Sequence, residues 1–360
     1  MQLTFKYRVK DKHATRLNAQ ARAVNFVWNF CNETQQKAAR AGRRWLSGHD
    51  LWKLVAGATK EGLDLHSHSA MRVCQQYDKS RRQHRRPWLR WRSKKKSLGW
   101  IPFNTGHVSF RDGDFIFRGE KYHVWLDRPL PPDAKIGAGS FNQDARGRWY
   151  LNVPVEVETA NVASVDKVGI DLGLASLIAL SDGEKIAAPQ FYRKSEQALA
   201  TAQRARKSKR VRRIHAKARN RRKDFLHKAS TKIAKQYGLV VIGDVSPSKI
   251  ARSRFAKSVL DAGWADLKQM LSYKAIRHGG GTLEVSEAWT SQTCSECGCL
   301  PPSRPKGIAG LRKRVFECDD CDAVLDRDVN AARNILGCGL ATLGGGAPAK
   351  AGNPGLQAGE

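Results

Sequence analysis

The chain has 360 residues and carries 64 Lys and Arg against 33 Asp and Glu, a formal charge of +31. A field of that size exceeds what solubility requires and attracts polyanions, nucleic acid first among them. An anionic membrane surface is the rival, but no run of 18 apolar residues occurs and the basic segments lack a broad apolar face, so no membrane partner is expected.

The opening residues, MQLTFKYRVKDK, alternate as a strand does and show no secretory pattern, which points to the cytoplasm. Eight cysteines then read as free thiols plus a metal site rather than disulfides. Leu17, Ala21, Val24, Trp28 and Cys31 recur at helical spacing, and a second helix is expected near Ala70 to Tyr77, through Cys74. From Lys79 to Lys96, KSRRQHRRPWLRWRSKKK holds ten Lys and Arg and no acid. A charge run alone is commonly a solvated face. Here Trp88 and Trp91 interleave with Arg85, Arg86, Arg90 and Arg92, setting stacking surfaces beside phosphate-binding charges.

Strand patterns follow. FRDGDFIF has Asp112-Gly113 as a turn, and in WYLNVPVEVE the residues Trp149, Leu151, Val153, Val155 and Val157 alternate strictly. Joined by the first strand, this segment predicts a small β-barrel with the helices inserted. From Lys167 two apolar strands, VGIDLG and LIALSDG, precede a basic helix from Gln203 to Lys223 with twelve Lys and Arg and no acid. Its one thin apolar stripe, Val211, Ile214, Ala218 and Phe225, leaves Arg210, Arg212, Arg213, Arg219, Arg221 and Arg222 to solvent or phosphate. LVVIGDVSPSK reads as a buried strand ending in a loop. An amphipathic helix through Leu260, Trp264, Leu267 and Leu271 then stops at Gly279, and TLEV is a further strand. After Leu336 a Gly/Ala/Pro-rich tail is predicted to be disordered.

Two C-x-x-C pairs, Cys294 with Cys297 and Cys318 with Cys321, stand twenty residues apart, the spacing of a four-thiolate zinc ribbon. With all four positions filled by sulfur such a zinc ion is structural. Cys31, Cys74, Cys299 and Cys338 are left as buried or free thiols. Asp171 ends the strand VGID, while Asp326 and Asp328 lie beyond the ribbon in LDRDVNAARNIL, where a helix opens. Singly, these acids read as turn or helix caps. Together they suit phosphodiester cleavage at two metal ions, which needs several acidic oxygens converging.

GIDLGLASLIALSDG, TSQTCSECG, FECDDC and DRDVNAARNIL, in that order, resemble the TnpB proteins of bacterial insertion sequences, compact relatives of type V CRISPR effectors. The resemblance implies a multidomain α/β and β protein. Residues 1–10 would give the first strand of a wedge-type β-barrel, 11–96 a helical recognition domain, and 97–160 the rest of the barrel. An RNase H-like RuvC nuclease core would follow over 161–289, with a zinc ribbon at 290–323, the final RuvC motif at 324–337 and the tail at 338–360. It implies magnesium as catalytic cofactor, a guide RNA from the transposon end, a double-stranded DNA target beside a short adjacent motif, and a monomer within the ribonucleoprotein. Asp171 and Asp328 match the first and last acids of the family.

The family's second motif reads like IVIEDL, with Glu as the metal ligand. Here Gly243 stands at that position and Asp244 matches the acid after it. Adjacent strand residues point to opposite faces, so Asp244 replaces the lost side chain only with a bulge or twist; otherwise it caps the loop that it opens. Glu287, on one strand face with Leu283 and Val285, is the other candidate, and Glu284 reads as surface charge. The chain is thus expected to be an RNA-guided DNA endonuclease with Glu287 or Asp244 as relocated ligand. The alternative is a nuclease-inactive, RNA-guided DNA-binding protein of repressor type. A transposase performing strand transfer itself ranks last, on the expectation that no His-x-His pair is present.

Overall fold

The computed structural model describes residues 1–58, 61–131, 134–159, 164–245, 256–305, 310 and 313–344. The chain divides into two compact units, Met1–Val157 and Glu158–Glu360.

In the first unit, β1 (Gln2–Val9) leads into three helices, α1 (Ala14–Arg40), α2 (Gly48–Val55) and α3 (Ser67–Gln83). The strands β2 (Trp100–Phe103), β3 (Val108–Arg111), β4 (Asp114–Phe117), β5 (Glu120–Tyr122), β6 (Val124–Trp125), β7 (Gly139–Gln143) and β8 (Trp149–Glu156) follow. As expected, β1 joins the later strands, pairing antiparallel with both β8 and β6. Instead of one continuous barrel there is a five-stranded sheet, β2-β7-β8-β1-β6, and a separate meander, β3-β4-β5. The meander's turns are tight: Asp112 and Gly113 both take positive φ, 51° and 80°, so these short strands pair among themselves. Trp149, Leu151, Val153 and Val155 are buried, in one core with Tyr7, Phe103, Phe115 and Phe141 and with Leu17, Val24, Cys31, Cys74 and Tyr77 of the helices. Cys31 and Cys74, read as buried or free thiols, are both buried and meet in that core with sulfurs 3.6 Å apart.

The second unit opens with β9 (Lys167–Asp171), β10 (Ser176–Leu180) and β11 (Lys185–Ala187), then α4 (Glu196–Arg204) and α5 (Ser208–Gln236). Next come β12 (Leu239–Gly243), α6 (Ala256–Ala262), α7 (Trp264–Arg277), β13 (Gly281–Val285), the short ribbon β14 (Val315–Glu317) with β15 (Val324–Asp326), and α8 (Arg327–Leu343). The sheet order is β11-β10-β9-β12-β13, antiparallel from β11 to β9 and parallel across β9, β12 and β13. Alternation sorts its two faces. Val168, Ile170, Val240 and Ile242 are buried with Leu226 and Ile233 of α5 and Leu267 and Leu271 of α7, while Val241 and Val285 pack with Ile335 of α8.

Three expectations change here. The basic helix does not run unbroken from 203: α4 ends at Arg204, Arg206 takes φ 52°, and α5 starts afresh at Ser208. The helix through Leu260 is two helices, broken where Gly263 takes φ 71°, and Leu260 ends up 65% exposed rather than buried. α8 carries residues 338–343, placed in the tail by composition, because its apolar face continues to Gly339 against Val241. The remainder of that tail, 345–360, lies outside the described residues. No described helix is long and apolar enough to cross a membrane.

Candidate metal centre and nucleic-acid interface

The face of the second sheet that meets α8 carries the acids. A Cβ on Gly169 would lie 2.0 Å from the Ala332 carbonyl oxygen, so the helix can settle this closely only on a strand lacking a side chain there. Ala331 and Ala332, buried in the contact, supply small residues from the other side, which explains the Asn-Ala-Ala motif. From that contact Asp171 is two strand residues on, ~7 Å. Asp328 is four helix residues back, ~6 Å, so the acid at the start of the helix reaches the acid at the end of the strand. Their charges interact: burial first, then Asp328 and Glu287, push the Asp171 carboxyl up from its ordinary 3.8 to about 7.

The parallel register places the third acid. β12 pairs with β9 as far as Ile242 with Ile170, and with β13 as far as Gly243 with Val285. Gly243 therefore ends its strand beside Asp171 and on the same face. Glu287 occupies the space its missing side chain leaves: a Cβ on Gly243 would sit 3.1 Å from Glu287 Oε2 and 3.2 Å from Glu287 Cβ. Glu287 lies in the turn two residues past β13 rather than on the strand. Burial, and then the Asp244 charge, raise its carboxyl above the usual range, against a lowering by Lys268.

Asp244 is exposed and bonds to the turn that follows β13. Its backbone N–H donates to the Val285 carbonyl at 2.8 Å, and its carboxylate accepts the Glu287 N–H at 3.2 Å. It fastens the turn that presents Glu287, whatever bond it makes to its own following loop. That loop, from residue 246 on, lies outside the described residues. Glu284 is an exposed surface charge paired with Lys268 at 3.1 Å. Asp326 caps α8, accepting from the backbone N–H groups of Asp328 and Val329, and pairs with Lys185. Against the desolvation of partial burial, those contacts hold its carboxyl below the usual range.

Sequence reasoning missed two residues of α8. Asn330 accepts the Ser295 N–H at 2.8 Å and donates to the Thr293 carbonyl at 2.7 Å, and Asn334 donates to the Thr290 and Thr293 carbonyls at 2.8 Å each. Their i, i+4 spacing, the one available clue, puts both on the helix face that grips the base of the cysteine loop. In that loop Sγ atoms of Cys294 and Cys321 are 3.8 Å apart and those of Cys297 and Cys318 are 3.6 Å apart. A tetrahedron with metal–sulfur bonds of ~2.3 Å has edges of ~3.8 Å, so the four thiols fit one ion. Each knuckle turns at a residue of positive φ four positions after its first cysteine, Gly298 at 79° and Asp322 at 57°.

The first basic segment is pinned, not loose. Asn32 makes paired hydrogen bonds with the backbone of Leu89, at 2.8 and 2.9 Å, and Asn29 does the same with Arg92. Trp28 Nε1 donates to the Arg90 carbonyl at 3.3 Å and Asn25 accepts from Arg92 Nε at 2.7 Å. These four share one face of α1 and hold residues 89–92 as a neighbouring strand would. Trp88 and Trp91 remain 38% and 51% exposed, with Arg85, Arg86 and Arg90 also exposed. Arg92 is instead spent internally, donating also to the Leu98 carbonyl. On α5, Arg210, Arg212, Arg213, Arg219 and Arg221 face solvent, whereas Arg222 donates to the Leu260 carbonyl at 3.0 Å and stands 3.8 Å from Asp261. Arg92 and Arg222, both expected at nucleic acid, thus have structural partners because each side chain reaches a carbonyl and a polar side chain within its own unit. The expectation of no His-x-His pair is wrong: His66-Ser67-His68 is one, at the start of α3.

Residues 264–335 match a family model described as Cas12f1-like, TNB domain, and residues 151–254 match OrfB_IS605, described as Probable transposase. A protein of Streptomyces pristinaespiralis is 36% identical over 275 residues, covering 71% of this chain and 67% of its own length. The chain belongs to the TnpB family. An Escherichia coli K12 relative is 31% identical over 238 residues, 58% of each chain, and both relatives provisionally carry the name RNA-guided DNA endonuclease. The chain therefore spans between 58% and 67% of the length of these two TnpB relatives. Its multidomain α/β fold is similar to that of Cas12f1 in a complex with sgRNA and target DNA: TM-score 0.57 at 14% identity, covering 91% of this chain and 83% of that one.

Proposed function

We propose that this TnpB-family chain is a transposon-encoded, magnesium-dependent RNA-guided DNA endonuclease. It takes a guide RNA from the transposon end and cuts double-stranded DNA beside a short transposon-adjacent motif, one chain per guide. The observation that carries this is the position of Glu287, whose carboxylate fills the space at Gly243 next to Asp171. A half-buried carboxylate beside two others is costly to hold unless a cation joins them. A pure binding protein has no use for that cost.

On this proposal the second unit is an RNase H-like RuvC domain, a reading supported by its sheet order, by Asp171 at the end of β9 and by Glu287 just past β13. Asp171, Glu287 and Asp328 would hold the magnesium, two ions when the set is complete. Bound there, magnesium supplies an activated water and stabilises the leaving oxygen of the cleaved phosphodiester. Asp171 must give up the proton it keeps up to about pH 7 before it can ligate. Asp244 sets the backbone at Glu287, and Asp326 anchors the helix start so that Asp328 faces the strand end. Cys294, Cys297, Cys318 and Cys321 would hold zinc as a structural ion. The exposed arginines of α5, and Trp88 and Trp91 with their flanking arginines, would contact the nucleic acids through backbone charge and stacking, leaving sequence to base pairing.

The test is single-turnover cleavage by the purified ribonucleoprotein. RNA copurifying with the chain is sequenced, rebuilt with a matched target, and assayed with magnesium. A complex that binds its matched duplex and leaves it uncut overturns the proposal.

A further inference from the structure

The pair at His66 and His68, passed over in the sequence, meets a third imidazole from elsewhere in the first unit. His66 caps α3, His68 lies in its first turn, and His107 precedes β3. The ring centroids are 5.3 Å apart for His66 and His68, 4.7 Å for His66 and His107, and 4.6 Å for His68 and His107. One ring nitrogen from each lies within 4.8 Å of the other two. Stacking of two histidines is ordinary; three rings closing a triangle from two chain segments is the geometry of a ligand set.

We propose that His66, His68 and His107 bind one divalent transition-metal ion of the zinc class, separate from both the acidic site and the cysteine loop. Three imidazoles favour zinc, copper, nickel or cobalt over magnesium, which prefers oxygen, so the catalytic cation does not compete for this place. Ligand nitrogens ~2.0–2.1 Å from a tetrahedral metal are ~3.4 Å apart, so the rings close in by an ångström or so, and the fourth position is left to water. A neutral imidazole keeps one ring-nitrogen lone pair free for an ion. The nearby guanidinium of Arg118 is partnered by Asp64 at 2.9 Å, which offsets its repulsion of a cation.

The site would act as a clip. At present His66 Nδ1 accepts the His68 N–H at 3.2 Å, capping α3. A neutral imidazole has one free lone pair, so a metal on His66 takes that nitrogen or forces the other tautomer; either way it replaces a weak cap by a bond to the loop before β3. The ion would tie the start of the helix to the meander.

The experiment uses full-length protein without a histidine tag, its cysteine site already filled with zinc, titrated with further zinc against a chromogenic chelator. Wild type is expected to take one more equivalent, and His68→Ala and His107→Ala to bind it about tenfold more weakly or not at all. His49→Ala, outside the cluster, should match wild type. Zinc should also raise the melting temperature of wild type and His49→Ala but of neither cluster variant, each of which is first checked for a wild-type circular dichroism spectrum and replaced by His→Gln if it fails. Uptake limited to the cysteine site in wild type, or unchanged uptake by the cluster variants, overturns the proposal.

Discussion

Glu287→Ala should disable cleavage, and adding Gly243→Glu to it should bring cleavage back. Gly243→Glu alone puts a Cβ 3.1 Å from the Glu287 oxygen, closer than ordinary contact, and adds a second carboxylate. Two carboxylates ~4 Å apart at an effective dielectric of ~20 repel by about 4 kcal/mol, enough to drive one of them out of the site. Glu287→Ala removes the conflict but leaves two acids where three stood. Losing one preorganised electrostatic group typically costs about 10²–10³ in rate, roughly 3–4 kcal/mol. The double variant restores a third acid from the neighbouring strand end and should come within about tenfold of wild type, a coupling of about 2 kcal/mol or more between the positions. Single-turnover cleavage at fixed magnesium reads the chemistry, and gel shift on the same duplex keeps lost binding apart from lost catalysis. Cleavage by Glu287→Ala within twofold of wild type, or a double variant no faster than Glu287→Ala, refutes the relocation.

Stability without divalent ions should fall as pH rises from about 4 to about 7. Over that window the folded chain keeps the Asp171 proton that the unfolded chain has released; the shift is worth at most about 4 kcal/mol, and magnesium should remove the loss in urea midpoints measured on either side of it. Gly169→Ala sets a methyl 2.0 Å from the Ala332 oxygen, so α8 must move; about 1–3 kcal/mol of denaturant stability should go, and cleavage with it, whereas an unchanged midpoint would mean the helix is not seated there. Trp88→Ala and Trp91→Ala should each weaken guide-RNA binding by about 1–3 kcal/mol with the melting temperature held, if bases stack on them. Arg92→Ala should do the reverse, lowering the melting temperature through its lost bonds to Asn25 and Leu98 while exposed arginines keep the RNA affinity.

Motifs with a strict local grammar could be read directly from the chain. The C-x-x-C pairs, the strand-end Asp171, the Asp112-Gly113 turn and the alternation from Trp149 each depend on residues adjacent in sequence, and each lies where it was expected. Harder to read were partners chosen by three-dimensional proximity. Composition could not tell that Arg92 and Arg222 would be used internally while their neighbours stayed in solvent, because a guanidinium reads the same whichever carbonyl it meets. The breaks at Arg206 and Gly263 were invisible to a periodicity that simply resumes after one irregular residue. Glu287 was named from its strand face, but the strand stops at Val285, and it is the turn held by Asp244 that delivers the carboxylate. The asparagines of α1 and α8 carry no motif at all; each acts by matching the backbone of a distant segment.

The displaced acid also changes what the cysteine loop controls. A glutamate on β12 would belong to the central sheet and be indifferent to events in the loop. Glu287 stands instead on the stem that leads into Cys294, and Asn330 and Asn334 bind that stem to the helix bearing Asp328. Two of the three carboxylates thus share a support whose far end is closed by four thiols, two of them exposed. If the chain cuts DNA as proposed, oxidants or a strong zinc chelator acting on those sulfurs should therefore slow cleavage at saturating magnesium, tying the proposed activity to thiol state.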